Sequence, residues 1–349
     1  MITVQDEIVL QAQHLSAVEA LFQTRYRKAA EARGMHFQSL QVSPPVAIAE
    51  APVTLWLRWT ITDPAAWWGM RAQSGTAEVA AFWAAVDKQS LSRRRTYLMK
   101  PDAAALTLPT AGRSTATSRG YRETAQLQIR EGGADALQQA LSLWLPQLPG
   151  LASSELGNNL APEYAAGHLT LDLLYPDAAA AARAQASDVW QCQILPELSR
   201  TCTAVHALAL ATVGAGLREP DLAGGIKRTA FFRLQSGRDT ATAEAFERDL
   251  LAMPEHIHEI RNWRLSRAVP VEWQHAGCAP WTWVWEQEFR TVDDLLGPYM
   301  LHPHHWAHID RWFDPESGAQ AIDTALSHAF SPFGSSVLAR ELVAQGEGI

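Results

Sequence analysis

From Ile226 to Leu234 the side chains of Ile226, Arg228, Ala230, Phe232 and Leu234 fall on one face of an extended run, the two-residue period of a strand. Thr242, Ala245, Phe246, Leu250 and Leu251 then recur at helical spacing, and Pro254 marks a break before Ile257 and Ile260 continue the apolar side. A second strand is predicted from Trp263 to Arg267 and a third from Trp281 to Phe289, where Trp281, Trp283 and Trp285 alternate with Thr282, Val284 and Glu286. Three indoles on one face would make an aromatic wall. Thr291 to Asp294 reads as a capping box opening a helix that carries Leu295, Leu296 and Tyr299. Pro303 ends that helix and starts another, in which His305, Ile309 and Trp312 form the inward stripe and His304, His308 and Arg311 lie to the side.

The same strand-helix-strand-strand-helix-strand order occurs twice more, without the histidines. One copy runs from Glu123 through helix 134–145, strand 168–174 and a helix reaching Trp190 to a last strand at 204–210. Trp190 stands where the third copy has Trp306, which puts Val189 at the place of His305 and Arg183 at that of Tyr299. An earlier copy has strands at 3–10, 37–42 and 53–61, helices at 16–33 and 67–86, and a closing strand from Tyr97. Stretches rich in small residues, Asp102 to Ser118 and Gly214 to Gly225, read as linkers. The expected fold is α+β: three tandem ferredoxin-like units with antiparallel sheets, at residues 1–115, 116–220 and 221–349.

The segment Gly297 to Trp306 holds the chemistry, as Tyr299-x-x-His302-Pro303-x-His305. A histidine in the first turn of a helix is held neutral by the positive end of the helix dipole and is suited to accept a proton near neutral pH. A nearby phenol can donate to an oxygen on which charge develops. With its surroundings from 225 to 314 this motif resembles the stress-responsive dimeric α/β-barrel (Dabb) family, which includes polyketide cyclases. The resemblance implies a barrel built from paired units and makes His305 the base and Tyr299 the oxyanion donor. It also places Arg228, Phe232, Trp283, Trp285 and His302 along the substrate cavity. Arg228 stands where some cyclases have a further histidine, and suits a carboxylate or phenolate better than a neutral polyketide. The implied activity is that of a cofactor-independent lyase, cyclase or isomerase acting on a small aromatic or carbonyl-bearing substrate. A cofactor-free monooxygenase of the related barrel type and a non-catalytic ligand-binding stress protein are the alternatives.

Composition sharpens the setting. Fourteen tryptophans imply large apolar surfaces and aromatic-lined pockets. A net charge of −8 and no long basic run argue against nucleic acid, and Arg93-Arg94-Arg95 reads as a solvated face. No apolar run is long enough to span a membrane and there is no secretory leader, so a cytoplasmic protein is expected. Three cysteines suggest neither a disulfide framework nor a zinc finger. His304 and His308 could share a helix face, but the zinc-protease spacing is missing and no metal or other cofactor is expected. Because an apolar sheet face needs a cover, two copies are expected to pair inside the chain and the third with its twin in a homodimer.

Overall fold

The computed structural model describes residues 1–48, 51–101 and 115–344. The chain divides into two compact units, one of residues 1–108 with 300–324 and the other of 109–299 with 325–349. Helix and antiparallel sheet are mixed throughout, in the ferredoxin-like arrangement. Most of the first expected linker, residues 102–114, lies outside the described residues.

In unit 1 the strands β1 (Ile2–Gln11), β2 (His36–Ser43), β3 (Pro52–Ile61) and β4 (Ser90–Leu98) lie in the order β2-β3-β1-β4. Helices α1 (Leu15–Leu21), α2 (Arg27–Ala32), α3 (Pro64–Arg71) and α4 (Ala77–Asp87) share a core with this sheet. α3 starts where it does because Pro64 pre-sets the first helical position and the Asp63 side chain accepts from Ala66 N–H. Along β1 every second residue is buried: Ile2, Val4, Asp6, Ile8 and Leu10. Asp6 breaks this apolar row and is matched by Arg95 of β4, 2.6 Å away. The triple-arginine run is therefore not a solvated face throughout. Strand alternation turns Arg94 outward to Glu7 and Arg95 into the core.

Segment 300–324 completes this unit. Trp306 is buried in the unit 1 core, its ring 5.5 Å from Trp67 and 5.6 Å from Tyr97. Further on, the buried Glu316 carboxylate receives Arg33 at 2.9 and 3.0 Å, Arg95 at 2.9 Å, Trp83 Nε1 at 3.2 Å and the Tyr26 hydroxyl.

Unit 2 holds the other two copies in one sheet. Its strands are β5 (Ala116–Ser118), β6 (Tyr121–Ile129), β7 (Ser153–Asn158), β8 (Leu169–Tyr175), β9 (Cys202–Leu217), β10 (Ala223–Phe232), β11 (Asn262–Pro270), β12 (Trp283–Phe289), β13 (Ser327–Ser335) and β14 (Leu342–Ala344). β5 pairs with β14, and the rest form an eight-stranded sheet in the order β13-β10-β12-β11-β9-β6-β8-β7. Two ferredoxin-like sheets are thus joined edge to edge through β9 and β11. The far edges approach one another: Leu160 N–H donates to the carbonyl of Phe330 at 2.8 Å, and a Cβ on Gly157 would meet Ser331 at 2.6 Å. The sheet curls into a barrel.

The helices are α5 (Ala134–Trp144), α6 (Ala178–Gln185), α7 (Leu195–Thr201), α8 (Thr240–His256), α9 (Val292–Asp294) and α10 (Val337–Glu341). Two sequence expectations change here. α8 runs through Pro254 instead of breaking, because only two residues follow and the bond lost is one at a helix end; Arg218 takes the Pro254 carbonyl at 2.6 Å. The second expected linker is largely strand, since β9 continues to Leu217. Gly214 lets the tip of the Leu251 side chain lie close to this strand, since a Cβ there would be 2.9 Å from the leucine methyls.

Strand alternation gives the barrel a polar interior. Arg122, Asp172, Lys227, Arg264, Glu286 and Glu341 are all buried and mutually paired. Arg122 of the second copy reaches Glu286 of the third at 2.5 Å, Asp172 at 2.7 Å and Glu341 at 2.9 Å. Arg264 lies 2.8 Å from both Glu286 and Glu341, and Lys227 bridges Asp172 and Glu286. No helix among the described residues is long and apolar enough to cross a membrane.

Candidate functional site

The opposite face of β10 and β12 carries a second polar set. Register places Arg228 directly across from Gln287, with Phe330 of β13 on its other side, and Ala230 across from Trp285 and His328. Arg228 Nη1 donates to Gln287 Oε1 at 2.7 Å, and Nη2 lies 3.1 Å from His328 Nε2. A guanidinium only donates, so this contact is a hydrogen bond in the tautomer whose Nε2 accepts. Tyr299 joins from the wide turn Leu295–Tyr299 that follows α9, whose start is fixed by the full Thr291–Asp294 capping box. Its hydroxyl donates to the same Gln287 oxygen at 3.2 Å, and the guanidinium carbon of Arg228 lies 5.8 Å from its ring centroid.

Electrostatics follow from burial. Arg228 is 4% exposed, and loss of water pushes its guanidinium below the ordinary arginine value, with Tyr299 pulling the other way. Burial raises the Tyr299 phenol, partly offset by Arg228 and by the bond to Gln287. The phenol therefore stays a donor across the neutral range.

Aromatic rings surround the set. Phe232 lies 5.9 Å from Phe246 and 6.0 Å from His328, Phe246 lies 5.0 Å from Trp283, and Phe289 lies 5.2 Å from Tyr299. Trp283 is fixed by an indole bond to Glu247 at 2.8 Å. Trp281 does not share this face. It precedes β12, donates to His206 at 3.2 Å and lies with its ring 5.6 Å from that of Phe231, tilted by 58°, in a cluster with Leu208 and Val284. The expected wall of three indoles is two.

Of the residues singled out from sequence, Arg228, Tyr299, Phe232, Trp283 and Trp285 all belong to unit 2, while His302 and His305 belong to unit 1. There His305 is half-buried with its ring 5.2 Å from Trp68, whose indole donates to Met300 O at 2.8 Å. His302 Nδ1 accepts from His304 N–H at 3.1 Å. Residues 304–309 form a wide turn rather than a regular α-helical one, and Trp306 and Ile309 are its deeply buried members. His304 and His308 lie 5.0 Å apart, with His308 Nδ1 2.6 Å from Arg311. No group of three His, Cys, Asp or Glu suited to a metal ion occurs among the described residues.

Gln287 and His328 were not picked out from sequence. Alternation from Trp283 through Trp285 reaches Gln287 two positions on, and that signal was present. β13 lies in what reads as a C-terminal extension, so His328 had no strand to stand on.

Residues 226–325 match the model of the Stress responsive A/B Barrel Domain. The third repeat belongs to that family. The stress responsive A/B barrel domain spans the unit boundary, for its residues 226–299 lie in unit 2 and 300–324 in unit 1. No curated protein matches the sequence. Among solved structures, the chain is similar to an anthrone oxidase-like protein, at 8% identity and TM-score 0.46 over 69% of this chain and 98% of that one. It is also similar to a mutant chlorite dismutase from Candidatus Nitrospira defluvii, at 8% identity and TM-score 0.36 over 60% and 90% of the two chains. An antibiotic biosynthesis monooxygenase matches at 10% identity and TM-score 0.22, over 29% of this chain and 98% of that one.

Proposed function

We propose that the third repeat is an acid-base enzyme site that removes a proton beside a carbonyl of a small aromatic substrate, as a lyase, cyclase or isomerase would. The reading rests on one observation: Tyr299 and Arg228 both donate to Gln287 Oε1 while the same guanidinium meets His328. Two donors converging on one oxygen acceptor form an oxyanion site when a substrate oxygen takes the place of that acceptor. The His328 imidazole beside them, in the tautomer whose Nε2 accepts, supplies a base. In this scheme His328 Nε2 takes the carbon-bound proton, the electron pair moves to the carbonyl oxygen, and Tyr299 and Arg228 stabilise the resulting enolate. His305, the histidine of the sequence motif, is the competing base.

Deuterium exchange at the α-carbon of aromatic ketones and β-keto acids, followed by NMR in heavy water, tests this directly. Wild type should catalyse exchange, and Tyr299→Phe and His328→Gln should each slow it by about 10²-fold or more. Loss in His305→Gln with retention in His328→Gln would make His305 the base. Oxygen consumption without exchange would replace the reading by the monooxygenase alternative, and binding without either reaction by a carrier.

A further inference from the structure

We infer that the substrate of this site is an aromatic carboxylate, anchored by Arg228, the amide nitrogen of Gln287 and the indole nitrogen of Trp285. The inference deepens the acid-base reading and rests on it for the word substrate; the two share Arg228, while the donors Gln287 Nε2 and Trp285 Nε1 belong to the anchor alone.

The first of these is the guanidinium. Arg122, Lys227 and Arg264 are comparably buried in the same unit, and each faces carboxylates at hydrogen-bond distance. Arg228 faces none among the described residues. Its partners are an amide, an imidazole and a phenol ring. A buried cation left with neutral partners carries a desolvation cost that an anion would offset.

The second and third are donors that meet no acceptor among the described residues. Arg228 and the Tyr299 hydroxyl both point at one atom of the Gln287 amide, and since a guanidinium cannot accept, that atom is the oxygen. The other end of the amide is then fixed as the nitrogen. Gln287 Nε2 and Trp285 Nε1 are both fully buried and have no hydrogen-bond partner among the described residues. Unpaired buried donors are uncommon and costly. Trp285 lies two residues before Gln287 on the same strand face, and Gln287 is opposite Arg228 in register. One sheet face thus carries, beside a buried cation that faces no carboxylate, two donors without an acceptor among the described residues.

One fixed positive charge with two neutral donors suits a monoanion with two oxygens in a plane, which is a carboxylate. The flanking rings of Phe232, Phe246, Trp283 and Phe289 suit an aromatic body. His328 and Phe330, on β13 beside Arg228, are only partly buried and mark the side open to solvent.

The test is calorimetric titration of the full chain with naphthoate and with naphthamide, its neutral isostere. Naphthoate should bind about tenfold or more tightly than the amide, the ratio expected for one charge-assisted bond. That preference should vanish in Arg228→Gln and shrink in Trp285→Phe, which keeps the ring and removes only the N–H. Equal binding of acid and amide by wild type, or binding of neither, overturns the anchor without recourse to a variant. Acid selectivity with no deuterium exchange on any bound acid retains the carboxylate anchor and removes the acid-base reading. Exchange on neutral ketones without acid selectivity does the reverse.

Discussion

Glu316 Oε2 lies 2.9 Å from Arg95 Nη1, and neither side chain has any exposed surface. Arg33, Tyr26 and Trp83 donate to the same carboxylate, and the two arginines hold it at about 2, well below the usual range, against the upward push of burial. Removing one partner of such a pair strands the other charges. Glu316→Ala should lower the stability of unit 1 by about 3–5 kcal/mol, seen as a shifted urea midpoint. Part of that loss should return on adding acetate or formate. An unchanged midpoint would mean that water reaches the two arginines.

In the barrel, burial pushes Glu341 up to about 8, with Arg122 acting downward and Asp172 upward. A glutamate of the unfolded chain releases its proton near 4.5. Between those values the folded state binds the extra proton. The contribution of this group to stability is therefore complete below the lower value and is lost as pH rises through about 8. Glu341→Gln should flatten that decline, giving a variant that gains on wild type as pH rises from 5 to 9. Parallel stability profiles for the two proteins would contradict it.

Gly225 opens the stretch of β10 that carries Arg228. Its φ is +147°, and a Cβ there would sit 2.4 Å from the Phe289 carbonyl. Gly225→Ala should destabilise by about 1–3 kcal/mol, measured by denaturant unfolding. Because Phe289 follows Gln287 on β12, the same change should weaken ligand binding at the site. A stable variant with undiminished binding would show that the strands can part there without consequence.

The face of the unit 1 sheet carrying Thr3, Gln5 and Glu7 on β1, with Thr54, Trp56, Arg58 and Thr60 on β3, is half-buried or exposed, while the alternate residues of both strands are buried. A second copy of the chain is expected to cover it. Sedimentation should give twice the 38.4 kDa of one chain, and Trp56→Glu should halve that mass. A wild-type mass of 38.4 kDa would remove the expectation.

Much of the fold was readable because strand alternation and helical spacing are local. The cap at Thr291 and the strand at Ile226 followed from neighbours a few residues away. What was not readable depends on distant chain. Arg95 looks like one of three surface arginines until Asp6 and Glu316 are brought beside it. Trp281 looks like part of an indole wall until the strand proves to begin at Trp283. His305 is assigned an inward position on a 3.6-residue period, and the wide turn at 304–309 gives that depth to Trp306 instead. His328 belongs to a strand that no periodic pattern had announced.

The use of residues 300–324 in unit 1 bears on how the protein is made. A ribosome that has reached residue 225 has already delivered β1 to β4 and α1 to α4, yet Arg33 still lacks Glu316, Arg95 has only Asp6 of its two carboxylates, and Trp67 lacks Trp306. Of the three repeats, the first to be synthesised is thus the one that waits, finishing its core only after most of the third has emerged. Truncation between repeats, which tandem architecture invites, would leave an N-terminal fragment in which Arg95 keeps Asp6 but Arg33 has lost the carboxylate it faces.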